Sequence, residues 1–317
     1  MLPLWIFTEG DLQRGMGHIS RCSAYACAWK QRGGDVYWII DGDSCAQNFI
    51  PDENISWICW QDNPGVVNSI TGFALIDSYY ASPPVLKKIS DCFLQTVYLD
   101  DTFRLNYPNG LVVHCIPEQK PDHLVDAKWL MGIEWQPLRP AFWNTAVREK
   151  STSDIINILI IMGATDIRNL TERIFNLVIA MFPNAHINII SNNQDVAFNK
   201  ECTIYKNIND IEMLQLMSQC DLAISSAGQT MFELAKCGLP SILVCVVDNQ
   251  EKQFKWSQEN SLFPDGIYWD DPFFDEKIAA QLTKMSSPIY RDSIAKHAQS
   301  LIDGQGVNKL INVLIGS

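Results

Sequence analysis

Short apolar runs alternate with amphipathic stretches over the first 142 residues, the pattern of a parallel sheet with covering helices. The spacing predicts strands over Leu4 to Thr8, Val36 to Ile40, Ile55 to Cys59, Phe73 to Asp77, Thr96 to Leu99, Leu111 to Cys115 and Trp129 to Met131. Helices are predicted over Ile19 to Gln31, which Gly33-Gly34 stops, and over Pro84 to Asp91. The polar run Arg148 to Asp154 precedes the most apolar strand, Ile155 to Met162, so a boundary is expected between domains 1–150 and 151–317. The second half repeats the grammar with helices Leu170 to Met181, Ile211 to Gln219 and Met231 to Cys237, and strands His186 to Ile190, Asp221 to Ser225 and Ser241 to Val246. Helical segments after Phe274 end the chain, the last expected to pack back on the first domain. The expected class is α/β, with two Rossmann-like domains and a cleft between them.

A length of 317 residues with 47% hydrophobic side chains supports two cores of ordinary size. A net charge of −12 argues against nucleic acid or an anionic membrane as partner, so an anionic ligand needs local donors. Ten cysteines without a C-x-x-C pair and five histidines without metal spacing suggest reduced thiols and no metal site. Met1 to Phe7 is too short for a signal core and reads as a first strand. No run approaches the roughly 20 apolar residues of a membrane span, and a soluble cytoplasmic protein is expected.

Ligands of open parallel sheets bind outside the carboxyl ends of the strands. Six segments fall there: Gly15 to His18, Asp77 to Tyr80, Asp100-Asp101, Gly163 to Asp166 with Asn169, Ser225 to Thr230, and Asp248 to Gln250. Gly15 and Gly17 permit a sharp turn and close approach to a ligand, and the helix opening at His18 directs free N–H groups at the same spot. That field favours an anion and disfavours an imidazolium, so His18 is expected neutral near neutral pH and able to take a proton from water. The plainer alternative is a solvated cap residue on a backbone turn. Arg21, one helical turn on, either lies at the surface or reaches inward.

Ser226, Ala227, Gly228, Gln229 and Thr230 join a buried strand to a helix through mostly small residues, which exposes main-chain N–H groups to a diphosphate. Glu233 either completes a capping box with Thr230 or accepts ribose hydroxyls. Tyr79 and Asn249 are individually ordinary loop residues, but with His18 they come from three loops on the carboxyl edge. Asp100 and Asp101 cap a turn or position a substrate group, and Arg139 is a candidate bridge between domains.

Taken together, Gly15-Met16-Gly17-His18 with Arg21-Cys22, Ile76-Asp77-Ser78-Tyr79, Leu99-Asp100-Asp101, Leu138 to Phe142, Met162 to Asp166 with Asn169, Asp221 to Gly238 and Asn249-Gln250 resemble a known family. It is that of the UDP-2,4-diacetamido-2,4,6-trideoxy-β-L-altrose hydrolases of pseudaminic acid biosynthesis, relatives of MurG-type glycosyltransferases with the GT-B fold. The resemblance implies inverting hydrolysis of a UDP-sugar by C–O cleavage at the anomeric carbon, by a monomer without metal or other cofactor. It implies His18 as base, with Tyr79 and Asn249 in the catalytic pocket. By the same token Glu233 would hold the ribose, the Ser226 to Thr230 loop the diphosphate, and the backbone near Asn207-Ile208 the uracil. Gly15, Gly17, Arg21, Asp77, Gly163, Thr165, Asp166, Asn169 and Gln250 complete the expected substrate contacts. Phe7 and Glu9 stand where family members usually carry Arg and Asp, Arg14 replaces an apolar residue, and Val112 to Pro117 replaces an Asn-rich stretch. These departures bear on the sugar more than on UDP. A GT-B glycosyltransferase with the same donor, or a nucleotide-sugar-binding module without turnover, are the competing readings.

Overall fold

Apolar segments of the first half form β1 (Leu4–Gly10), β2 (Val36–Gly42), β3 (Ile55–Trp57), β4 (Phe73–Asp77), β5 (Gln95–Leu99), β6 (Leu111–His114) and β7 (Lys128–Met131), with helices α1 (Gly17–Gln31) and α2 (Pro83–Cys92) between them. The structure, a computed structural model, describes residues 1–11, 14–43, 47, 50, 54–63, 71–149, 153–163, 166–192, 198 and 201–316. The strands pair in the order β3-β2-β1-β4-β5-β6-β7, all parallel. Leu4, Ile6, Phe7, Val97, Leu111, Val112 and Val113 are buried, as expected where helices cover both faces of a sheet. The strand order reverses between β1 and β4, so the loops leaving these neighbours part company there and leave room for a ligand.

The second half contains β8 (Asn157–Ile161), α3 (Thr171–Met181), β9 (His186–Ile190), β10 (Cys202–Tyr205), α4 (Asp210–Gln219), β11 (Leu222–Ser226), α5 (Thr230–Cys237), β12 (Ser241–Cys245), α6 (Glu251–Glu259), β13 (Ile267–Tyr268), α7 (Phe274–Met285) and α8 (Pro288–Leu301). Its parallel sheet runs β10-β9-β8-β11-β12-β13, and its reversal lies between β8 and β11. Asn209 caps α4 through the amides of Ile211 and Glu212, and Glu212 answers its main-chain N–H in a capping box. Gly238 ends α5 at φ 61°, and a Cβ there would also strike Gln299.

Contacts divide the chain into a first unit of Met1–Pro140 plus the segment from Gly304, and a second unit of Ala141–Asp303. The division thus falls ten residues before the boundary expected after residue 150, and the chain end returns to the first unit. The last helix, α9 (Gly306–Ile315), packs on α1 and on the 3-10 turn Ile133–Trp135, burying Val307, Leu310, Ile311 and Leu314. Arg32 at the end of α1 donates to Asn308 Oδ1 at 3.2 Å and to Asn312 Oδ1 at 3.1 Å. No helix among the described residues is long and apolar enough to cross a membrane.

Gly306 starts α9 against the main chain of Trp135 and Gln136, where a Cβ would come within 2.4 Å of the Gln136 oxygen. Backbone cannot yield as a side-chain tip can. Gly306→Ala is therefore expected to lower unfolding free energy by about 1–3 kcal/mol, read as a lower urea midpoint.

Candidate active site

The loop leaving β1 turns at Gly15, whose φ of 83° excludes most side chains, and enters α1 at Gly17. A Cβ at Gly15 or at Gly17 would meet nothing within 4 Å among the described residues. His18 is thus the second residue of α1, which begins two residues before the predicted start at Ile19. Helical spacing places Arg21 and Cys22 on its face one turn later. All three meet Asp77, the last residue of β4 and the neighbour of β1 across the strand reversal.

Asp77 is 1% exposed and accepts on both oxygens. His18 Nδ1 lies 2.6 Å from Oδ1, and Arg21 Nη2 donates to the same oxygen at 2.6 Å. Arg21 Nε donates to Oδ2 at 2.6 Å, and the Cys22 thiol points at Oδ2 from 3.8 Å. Arg21 therefore reaches inward. Burial alone would push the Asp77 carboxyl up, but Arg21 and His18 hold it well below the usual carboxylate range. An ionised Asp77 fixes the His18 tautomer with the proton on Nδ1, so neutral His18 presents the Nε2 lone pair outward. Among the described residues nothing bonds Nε2.

One expectation is corrected here. Burial works to lower the His18 pKa, as does the Arg21 charge, yet the charge and hydrogen bond of Asp77 outweigh both and raise it above its ordinary value. The imidazolium is favoured where the helix terminus alone would disfavour it. A full negative charge at hydrogen-bond distance exceeds the partial charge of a helix end.

The Tyr79 ring stands edge-on to His18, centroids 4.6 Å apart, and its hydroxyl donates to Asp101 at 2.8 Å. Burial and the Asp101 charge raise the Tyr79 pKa, so the phenol keeps its proton. Arg21 Nη1 also reaches Asp101 at 3.3 Å. The two adjacent aspartates divide the roles foreseen for them: Asp101 joins this cluster, while Asp100 accepts from the amides of Thr102, Phe103 and Arg104 and holds the loop. Sequence reasoning missed Glu9, which is buried and accepts from Ser78 Oγ, the Tyr79 amide and Gln61 Nε2. It also missed the clamp in which Arg14 joins Asp11 and Asp41, each at 2.7 Å, beside the glycine turn. A lone carboxylate late in a strand and a cation in a glycine loop were the available signals.

In the second unit the corresponding strand reversal brings Gly163, at φ 89°, beside Ser226 at the end of β11. Ser226 Oγ lies 3.9 Å from the Cβ position of Gly163 and equally far from that of Gly228. The Gly228 position is also 3.4 Å from Gln250 Nε2. Ala227 is buried and its oxygen accepts from Gln253 Nε2 of α6 at 2.5 Å, which latches the loop. Gln229 caps α5 without a side-chain hydrogen bond and Thr230 is the first helical residue, so Thr230 and Glu233 form no capping box. Glu233 is 2% exposed in the first turn of that helix.

Asp166 spends its carboxylate on the amides of Leu170 and Thr171 at the start of α3, and its oxygen takes the Asn169 amide. Asn169 itself sits at φ 53°, and Thr165 lies outside the described residues. Asn249 is exposed in the 3-10 turn Asp248–Gln250 that follows β12. Asn207, at φ 51°, and Ile208 precede α4. The predicted residues thus gather as His18, Arg21, Asp77 and Tyr79 in the first unit, and as Gly163, Ser226 to Thr230 and Gln250 in the second.

No protein-family profile matches the chain. An uncharacterized protein of Methanocaldococcus jannaschii is 26% identical over 270 residues, 77% of this chain and 55% of that protein. The pseudaminic acid cytidylyltransferase and UDP-2,4-diacetamido-2,4,6-trideoxy-β-L-altropyranose hydrolase of Helicobacter pylori is 22% identical over 271 residues, 83% of this chain and 48% of that protein. The chain spans about half the length of these two relatives. The spore coat polysaccharide biosynthesis protein SpsG of Bacillus subtilis is 24% identical over an alignment of 354 positions, covering 98% of this chain and 96% of that one. Among solved structures, Acinetobacter baumannii MurG superposes with a TM-score of 0.66 at 16% identity, over 99% of this chain and 100% of that one. A calicheamicin glycosyltransferase superposes with a TM-score of 0.63 at 12% identity, over 99% and 98%. With its two doubly wound parallel sheets, the chain has the GT-B fold of these glycosyltransferases.

Proposed function

We propose that this chain hydrolyses a UDP-sugar to UDP and the free sugar, with UDP-2,4-diacetamido-2,4,6-trideoxy-β-L-altropyranose as the substrate. The observation that carries the reading is His18 held by buried Asp77 at 2.6 Å with its other ring nitrogen unbonded among the described residues. That is the geometry of a general base for water. A transferase needs a base too, but the similarity of the chain to the H. pylori protein, whose name includes such a hydrolysis, favours water as the acceptor.

The steps follow from the residues. Neutral His18 takes a proton from water through Nε2 as the water oxygen attacks the anomeric carbon from the face opposite the leaving group. The anomeric C–O bond breaks, its electron pair leaves with UDP, and configuration inverts. Asp77 stabilises the imidazolium that forms. Tyr79 borders His18 and keeps its proton, so it serves as a hydrogen-bond donor and apolar wall. In the second unit, the Gly228 and Thr230 amides at the start of α5, Ser226 Oγ and Gln250 Nε2 receive the developing charge of the diphosphate, and Glu233 takes the ribose hydroxyls. Asn249 is read as a further contact to the substrate from the second unit. The protein is read as a cytoplasmic monomer needing no metal.

The decisive experiment is a proton NMR time course with this UDP-sugar and no acceptor. UDP plus a free sugar of inverted anomeric configuration is the expected result; a donor that binds and stays intact overturns the hydrolase reading in favour of a transferase. His18→Asn is expected to lower kcat by at least about 100-fold, the usual size of a lost general base, while UDP binding by calorimetry is unchanged. Unchanged turnover removes His18 from this role. Because the His18 pKa is raised, its base form appears later as pH climbs, so the acid limb of kcat/KM should have its midpoint above 6.5. A midpoint below that value contradicts the control assigned to Asp77.

A further inference from the structure

A nucleoside diphosphate is a polyanion, and this chain carries a net charge of −12. The donors gathered at the second unit's strand reversal are all neutral: Ser226 Oγ, Gln250 Nε2 and the Gly228 and Thr230 amides. Ser226 is 4% exposed, and among the described residues its hydroxyl has no partner although it faces the open side of Gly163 and Gly228. A buried hydroxyl without a partner marks a place that a ligand oxygen fills. What this cradle lacks is a cation.

Arg168 supplies one. It lies on the same β8 to α3 connection as Gly163, in a turn fixed by the Asp166 carboxylate and by left-handed Asp166 and Asn169. Its Nε donates to the Val246 oxygen at 3.0 Å, just past the end of β12, and its guanidinium carbon lies 3.9 Å over the centre of the Trp269 ring. The Val246 amide in turn donates to Gln250 Oε1 at 3.2 Å, which leaves Gln250 Nε2 facing Gly228. Arg168 and Gln250 are thus tied to the two main-chain groups of one residue at the carboxyl edge of the sheet. Stacking and the Nε bond fix the guanidinium plane. Both terminal nitrogens remain without a hydrogen bond or a carboxylate partner among the described residues. An arginine pre-ordered in this way, with its fork unspent in an acidic protein, suits a phosphate.

We propose that Arg168 binds the diphosphate of the nucleotide through its two terminal nitrogens. The proposal rests on the UDP reading of the second unit and adds to it the one charged contact. The test is calorimetric titration of uridine, UMP and UDP into wild type, Arg168→Gln and Arg168→Lys. Arg168→Gln is expected to weaken UDP about 10- to 100-fold, the worth of a charge-assisted hydrogen bond, while uridine binds as in wild type. Arg168→Lys should fall between, since it keeps the charge and loses the fork and the stacking. Equal UDP affinity in wild type and Arg168→Gln overturns the proposal. Equal losses for uridine and UDP also overturn it, because they make Arg168 a strap that only shapes the loop. A wild type that binds neither UDP nor uridine overturns the UDP reading itself and the proposal with it, an outcome visible before any variant is made.

Discussion

A carboxylate taken out of water at the end of β4 is the constraint on which the first unit is built. Asp77 is 1% exposed, and an isolated charge at such a depth would protonate. Arg21 prevents that with two hydrogen bonds of 2.6 Å, and His18 adds a third. An ion pair of this kind is weak evidence for stability, because desolvation of both partners offsets most of the attraction. Its consequence is orientation. Arg21 keeps Asp77 ionised, ionised Asp77 sets the His18 tautomer, and the tautomer decides which ring nitrogen faces outward. Arg21 therefore controls the histidine through the carboxylate even though its own charge opposes the imidazolium.

The two units use one topology for opposite electrostatic ends. In each, the strand order reverses beside the first strand, between β1 and β4 and between β8 and β11, and the loops that separate there carry the chemistry. In the first unit the opening holds an internal anion already neutralised by internal cations. In the second the corresponding positions are small or neutral, with Gly163, Ser226 and Gly228 around an uncapped helix start. Negative charge is supplied by the protein in one case and left for a ligand in the other. This explains how a strongly acidic chain can suit a nucleotide: the field that matters is set over a few ångströms by fixed dipoles, and distant carboxylates are screened by water and salt.

The sheet cores were legible because their strands are long apolar runs closed by turn residues; Phe73–Asp77 and His186–Ile190 form with the predicted bounds. β10 and β13 were not, since the outer strands of a sheet bury little: Cys202–Tyr205 has no fully buried residue and β13 is two residues long. Helix α6 was missed because its surface is so polar that only Phe254, Trp256 and Ser257 are buried, too few to stand out as a period. At the site, spacing alone put Arg21 one helical turn after His18, but whether Arg21 turned inward depended on an aspartate 56 residues away. The upward shift of the His18 pKa was hidden for the same reason. Arg168 left no local signal at all, since the Val246 oxygen and Trp269 that hold it lie far along the chain.

The residues by which this chain departs from the family it resembles have structural uses that leave the histidine cluster intact. Phe7 is buried edge-on to Trp60 and Phe93, so this position belongs to the core. Glu9 accepts from Ser78, Gln61 and the Tyr79 amide, which ties β1 to the loop after β4 a second time beyond the contact of His18 with Asp77. Arg14 anchors the glycine turn to Asp41 on β2. These positions thus surround the His18–Asp77–Arg21 cluster without entering it. On the proposed reading, substrate choice and reaction type are held by different residues on the same edge of one sheet, so that the first can diverge without loss of the second.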